Sequence, residues 1–299
     1  MLVTRKSLQG RIFGLLVFFQ SSLIVTGGAV RVTGSGLGCP TWPECTPGSY
    51  VPVPGQAEGA VHAWIEFGNR LLTFVLLIVA LAAVIIAVRL SSTSLNKMRI
   101  RSLAMLQILG IFGQGILGGI TVLTDLHPLT VASHFMLSIF LIGGAISLRY
   151  EMVGVNSQPA TGITKLLLPI LVWNTLLVLI AGTVVTGSGP HAGDDQAERF
   201  NFDARVVSWI HADLVIALLV LTALLFLITR HSGLHLLHKR VGLFLAISLL
   251  QGVIGYVQYF TGLPVVLVAL HLLGATLVWV SAWSLIKVAD SGFRLRGMN

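Results

Sequence analysis

Three histidines, His134, His211 and His271, fall inside apolar runs long enough to cross a bilayer as helices. An ionisable side chain in that setting is costly and is by default a functional candidate. His211 and His271 each lie about two turns into their runs. At about 1.5 Å per residue, both imidazoles sit roughly 10 Å below the surface where those runs begin. Two imidazoles from different helices at one depth can hold a haem iron between them, with the porphyrin slotted into a bundle. The plain alternative is that each imidazole only hydrogen-bonds across helices.

A carboxylate is the fourth candidate. Glu66 lies one turn before Asn69 in the segment Ile65-Glu66-Phe67-Gly68-Asn69-Arg70. Asn69 occupies the place in its run that His211 occupies in a later one, and Ser208 stands where Glu66 does. Glu66 can act on a proton or stabilise a developing cation. It can equally pair with Arg70 at i,i+4, and the two roles are compatible. Cys39 and Cys45 are the only cysteines. A close pair in a polar, Pro-rich loop reads as a disulfide or a redox pair if that loop faces an oxidising compartment. Arg31, Arg70 and Arg205, at helix ends, could pair with propionates or serve only as anchors. His62 and His127 read as rim residues and His191 as part of an acidic loop. His231, His235 and His238 read as solvated, and Asp213 as facing away from His211.

These residues need long helices to position them. The chain has 299 residues, 55% of them hydrophobic and 10% charged. That excludes an ordinary soluble enzyme and predicts an integral membrane protein. The net charge of +8 could serve nucleic acid. The basic residues instead sit in short clusters between apolar runs, which is a topology signal. The first run, Ile12 to Val30, is long enough to span and lacks a small-residue cleavage site, so it reads as a span rather than a leader.

Eight spans are expected: about 12–32, 62–88, a third ending at 123, a fourth ending at 148, 165–185, 205–229, a seventh ending near 260 and an eighth ending near 286. Of 19 Lys and Arg, only Arg31, Arg70, Arg199 and Arg205 fall on the side of the two long loops. By the positive-inside rule both termini are cytoplasmic and the long loops face outward, which supports a Cys39–Cys45 disulfide.

The chain also repeats itself. Gln114–His134 reads QGILGGITVLTDLHPLTVASH and Gln251–His271 reads QGVIGYVQYFTGLPVVLVALH. Gln, Gly, Gly, Thr, Leu, Ala and His fall in register. Val32-Thr33-Gly34-Ser35-Gly36 likewise matches Val185-Thr186-Gly187-Ser188-Gly189. The expectation is an all-α membrane protein of two parallel-repeat four-helix bundles related by an axis along the membrane normal. Residues 1–150 form the N-terminal bundle, 151–162 a cytoplasmic linker and 163–299 the C-terminal bundle.

VTGSGLGCPTWPEC after the first span, IEFGNR in the second, and His134, His211 and His271 in fixed order resemble the haem A synthase family over essentially the whole chain. The resemblance implies an oxidoreductase of the bacterial plasma membrane. It would oxidise a ring methyl of haem O to the formyl of haem A for cytochrome oxidase assembly, with water-derived oxygen. It implies haem b as cofactor, ligated by His211 and His271 in the C-terminal bundle. It places the substrate haem in the N-terminal bundle on His134, with Glu66 as the catalytic carboxylate and Cys39 and Cys45 as the outer-loop pair. Haem O synthase and cytochrome oxidase assembly factors are the implied partners, alongside membrane lipid and without nucleic acid. The family pattern has a His where this chain has Asn69, so the substrate iron has one evident ligand. No nicotinamide or flavin fingerprint accompanies these motifs. Two other classes are open. A dihaem electron-transfer cytochrome would carry symmetric His pairs, which Asn69 opposes. A transporter would break its helices near the midplane.

Overall fold

The computed structural model describes residues 2–91, 96–154 and 157–289, with side chains from residue 8 onward. The basic tail after residue 289 and parts of the 89–101 and 151–162 connections lie outside the described residues. Eight helices follow in order: α1 Leu2–Val32, α2 Ala60–Leu90, α3 Lys97–Leu123, α4 Pro128–Val153, α5 Ile163–Ser188, α6 Ala204–His231, α7 His235–Phe260 and α8 Val265–Ala289. All eight contain stretches long and apolar enough to cross a membrane. The first helix starts ten residues before the expected span. Leu, Arg, Lys and Gln are good helix formers and no Pro interrupts them, so the basic start continues the helix.

Local chemistry sets the helix ends. Asp203 caps α6 by accepting from the backbone N–H of Arg205 and Val206. Pro128 opens α4, where its missing N–H costs nothing. The α3–α4 and α7–α8 turns are built alike. Asp125 and Leu126 have φ of 49° and 60°, and Gly262 and Leu263 have 78° and 60°. Leu126 N–H reaches back to Thr121 O at 2.9 Å and Leu263 N–H to Gln258 O at 2.7 Å. Both are left-handed endings that satisfy a helix-terminal carbonyl. They reverse the chain tightly enough to lay each His-bearing helix against its predecessor.

Helices α1 to α4 pack in sequence, and α4 returns to α1; α5 to α8 pack in sequence, and α8 returns to α5. The halves meet through α8 against α1 and α4, and through α4 against α5. One buried cluster centres on Phe13, Leu16, Leu76, Ala104 and Leu148, and a larger one on Leu171, Leu225, Phe244, Trp279 and Leu285. The indole N–H groups of Trp279 and Trp283 tie α8 to α4, donating to Ile139 O at 2.7 Å and to Ser147 Oγ at 2.9 Å. Unpaired indole N–H groups would be expensive at that depth.

Both long loops lie at one end. Gly36 N–H donates to Gly193 O at 2.9 Å. Arg31 donates to His191 O and to Thr186 O, and His191 Nε2 donates to Leu263 O at 2.8 Å. The connections bearing most of the Lys and Arg lie at the opposite, basic end.

Candidate functional site

His211 on α6 and His271 on α8 face each other near the loop end. Their ring centres are 6.4 Å apart and their planes make an angle of 68°. Val178 O lies 3.1 Å from His211 Nδ1. A carbonyl only accepts, so Nδ1 carries the proton and Nε2 keeps its lone pair for a ligand role. Among the described residues His271 Nδ1 is buried without a hydrogen-bond partner. Glycines make the room. A methyl on Gly182 of α5 would stand 3.3 Å from His211 Cε1, and one on Gly255 of α7 would stand 3.0 Å from His271 Cε1.

These residues suit an iron porphyrin. An imidazole nitrogen lies roughly 1.2 Å from its ring centre and metal–imidazole bonds are about 2 Å, so two imidazoles on one iron have centres roughly 6.3 Å apart. The observed ring-centre separation of 6.4 Å matches that distance. A bare ion has less to hold it: among the described residues no three His, Cys, Asp or Glu come together as a metal site.

The N-terminal half repeats the frame and changes the contents. A methyl on Gly118 of α3 would stand 3.0 Å from His134 Cε1. Gly118 and Gly255 are matching positions of the repeat. Gln114 Nε2 donates to His134 O at 3.2 Å and Gln251 Nε2 to His271 O at 2.6 Å. So each histidine helix is held by the same Gln and relieved by the same Gly. Across the bundle the resemblance ends. Asn69 turns to α1, where Thr26 Oγ1 donates to its Oδ1 at 2.7 Å.

Glu66 is buried, at 6% exposure. Its Oε2 accepts from Cys39 N–H at 2.7 Å. Its Oε1 accepts from Arg70 Nε at 3.1 Å and Nη2 at 2.6 Å. Arg70 also donates to the carbonyls of Cys39, Thr41 and Glu44. The i,i+4 pair therefore exists, and it straps the cysteine loop to α2. Cys39 and Cys45 form a disulfide, with Cα atoms 4.3 Å apart. Within that loop the Trp42 ring covers Gly119, next to the glycine under His134. Gly38 runs so close to the His62 carbonyl that any side chain there would collide with it. The loop is thus fixed over the end of the first half, with Glu66 beneath it.

The remaining candidates are dispersed. His62 Nδ1 pairs with Ser35 Oγ at 2.8 Å, on the wall of a polar cleft of about 320 Å³ that also includes Arg31, His191 and Asp194. His127 lies 3.5 Å from Glu198. Arg205 stacks over Trp209 at 4.8 Å. His231, His235 and Asp213 are exposed. His238, expected to be solvated, is instead packed. It stacks on Phe226 at 4.3 Å and meets Thr229 Oγ1 at 3.2 Å, because α7 starts its first turn against α6. The sequence reading missed the strap from Arg70 to the loop and the glycines under the imidazoles. Identity of Gly118 with Gly255 in the repeat was the available signal for the latter.

Residues 11–196 match the family described as cytochrome oxidase assembly protein, COX15-CtaA. That stretch exceeds half of the chain and contains Cys39, Cys45, Glu66, Asn69 and His134. The chain belongs to this cytochrome oxidase assembly protein family. The match ends before His211 and His271, so the ring pair in the second half is an observation independent of it. A haem A synthase of Geobacillus thermodenitrificans is 28% identical over 151 residues, 50% of this chain and 44% of that protein. A haem A synthase of Geobacillus kaustophilus is 36% identical over 78 residues, 26% of this chain and 22% of that protein. The chain thus aligns with less than half the length of either relative. This chain carries Asn69 on α2 at the place where the repeat has His211 on α6.

Proposed function

We propose that the chain is a haem A synthase. It oxidises the ring methyl of haem O to the formyl group of haem A for the assembly of cytochrome oxidase. The observation that carries this reading is the asymmetry of the halves. One offers two facing histidines 6.4 Å apart. The other offers one histidine, an asparagine and a buried carboxylate. A pure electron-transfer cytochrome has no use for that difference. The names of the two relatives support the same activity.

In this reading residues 163–299 form the haem b half and residues 1–150 the substrate half, joined by 151–162. The two are parallel copies of one four-helix unit. Both termini face the bacterial cytoplasm, and the disulfide loop lies outside. His211 and His271 would hold haem b, which supplies one-electron transfer when bound. Gly182 and Gly255 leave space at the rings, and Val178 sets the tautomer of His211. His134 would hold the iron of haem O. Asn69 is a poor ligand, and its amide is already held by Thr26.

Conversion of a methyl to a formyl with water releases four electrons and four protons. The electrons leave the substrate singly and pass to an acceptor outside the chain. Glu66 takes up protons at the reacting methyl and stabilises positive charge there. Arg70 and the Cys39 N–H orient its two oxygens. The Trp42 loop, braced by the disulfide and by Arg70, limits water to what the reaction consumes. Haem O synthase would supply the substrate, and cytochrome oxidase assembly factors would receive the product. Pigment extraction from the purified protein tests the reading. Haem b together with haem O or haem A is expected, whereas haem b alone or no haem contradicts it.

A further inference from the structure

We propose that Gln258 is a positioning residue for His271: its side-chain oxygen accepts the Nδ1 proton of the ring once Nε2 takes an iron. The proposal rests on the haem b reading of the second half. An imidazole bound to a metal almost always donates its other N–H to an acceptor, which fixes the ring and raises its basicity. His211 has that acceptor in Val178 O, 3.1 Å from its Nδ1. His271 Nδ1 is buried and has no hydrogen-bond partner among the described residues. Gln258 Oε1 is in the same condition. An amide oxygen only accepts and an imidazole N–H only donates, so the two orphans are complementary. Left apart, each is a buried polar group without compensation.

The geometry of the two helices directs these atoms at each other. A methyl on Gly255 would stand 3.5 Å from His271 Nδ1, so that edge of the ring faces α7. Gln258 lies three residues further along α7, one turn nearer the loop end on the same side. Side chains lean toward the N-terminus of their own helix. α7 runs toward the loop end and α8 runs away from it. Gln258 therefore leans from the turn toward His271, and His271 leans toward Gln258. Leu263 N–H, bonded to Gln258 O at 2.7 Å, fixes the backbone at that level. The amide belongs to the second half alone. Thr121 holds the matching place of the repeat, and its hydroxyl donates to Leu117 O at 2.8 Å. Gln258 thus does for the ring of His271 what the Val178 carbonyl does for His211.

The test is redox titration of haem b in the purified full-length chain. An acceptor on Nδ1–H makes the imidazole a stronger electron donor and favours ferric iron. Gln258→Leu should therefore raise the midpoint potential by about 60 mV, a tenfold change in relative affinity for the two iron states. Gln258→Glu keeps an acceptor oxygen and should leave the potential at or below the wild-type value. Thr121→Val, at the matching place of the first half, should not move it. An unchanged potential in Gln258→Leu, or an equal rise in Gln258→Leu and Gln258→Glu, overturns the proposal. If Gln258→Leu retains no haem, retention by Gln258→Glu at or below the wild-type potential supports the proposal, and loss from both overturns it. Wild-type protein without low-spin haem b overturns the haem b reading and the proposal with it; the other contrary outcomes overturn the proposal alone.

Discussion

The side chain of Gln251 donates to the backbone carbonyl of His271 at 2.6 Å, bridging α7 to the helix that presents the imidazole. Its side-chain oxygen lies over Gly274, one turn past His271, where any Cβ would collide with it. Gln251 therefore positions His271 through the backbone and does not touch the ring. Gln251→Leu and Gly274→Ala should each weaken retention of haem b by about fivefold. That is the weight of about 1 kcal/mol for one interhelical hydrogen bond in a membrane. The haem-to-protein ratio after purification checks this. Full retention in both variants would show that the bond does not position the ligand.

Arg70 should matter more to the loop than to the bundle. It holds Glu66 and three carbonyls of the cysteine loop, and its side chain is 21% exposed. Arg70→Gln leaves a buried carboxylate with a single backbone donor. The expected cost is about 2 kcal/mol, below that of a fully buried pair because solvent reaches the guanidinium. Limited proteolysis should cut residues 33–59 faster, while the helices stay protected. Unchanged loop protection would contradict the strap.

His211→Ala and His271→Ala should each abolish the low-spin haem b spectrum and leave helix content intact. The two rings stand at the separation one iron requires, and neither half of such a pair gives a low-spin centre alone. Persistence of that spectrum in both variants would remove haem b from this site.

Most of the fold was legible because apolar runs and turn residues act locally. Eight spans, the tight turns at Asp125–Leu126 and Gly262–Leu263, and the two long loops all follow from short stretches of sequence. That the rings of His211 and His271 come close was legible from depth, since both helices start at the same end. Contacts between residues far apart in sequence were not. Nothing local announces that Arg70 reaches the Thr41 carbonyl, or that Trp42 lies on Gly119. His238 looked like one of three solvated histidines in a basic stretch. Its neighbour Phe226 lies on another helix, so only the packing of α6 on α7 separates it from His231 and His235. Asn69 was visible as a departure, but its hydrogen bond to Thr26 depends on how α1 meets α2.

The most direct test of the account is conversion of haem O by Glu66→Gln. The substitution keeps the shape of the side chain, removes its charge and leaves an oxygen for one of its present donors. Haem b content should match the wild-type chain, and haem O should still co-purify. Protection of residues 33–59 from limited proteolysis reports whether Glu66→Gln keeps its fold. With that protection intact, haem A in the extracted pigment should fall by at least about a hundredfold, as for loss of a general acid–base group. Haem A formed at the wild-type rate by Glu66→Gln would contradict the account and leave Glu66 as the structural partner of Arg70.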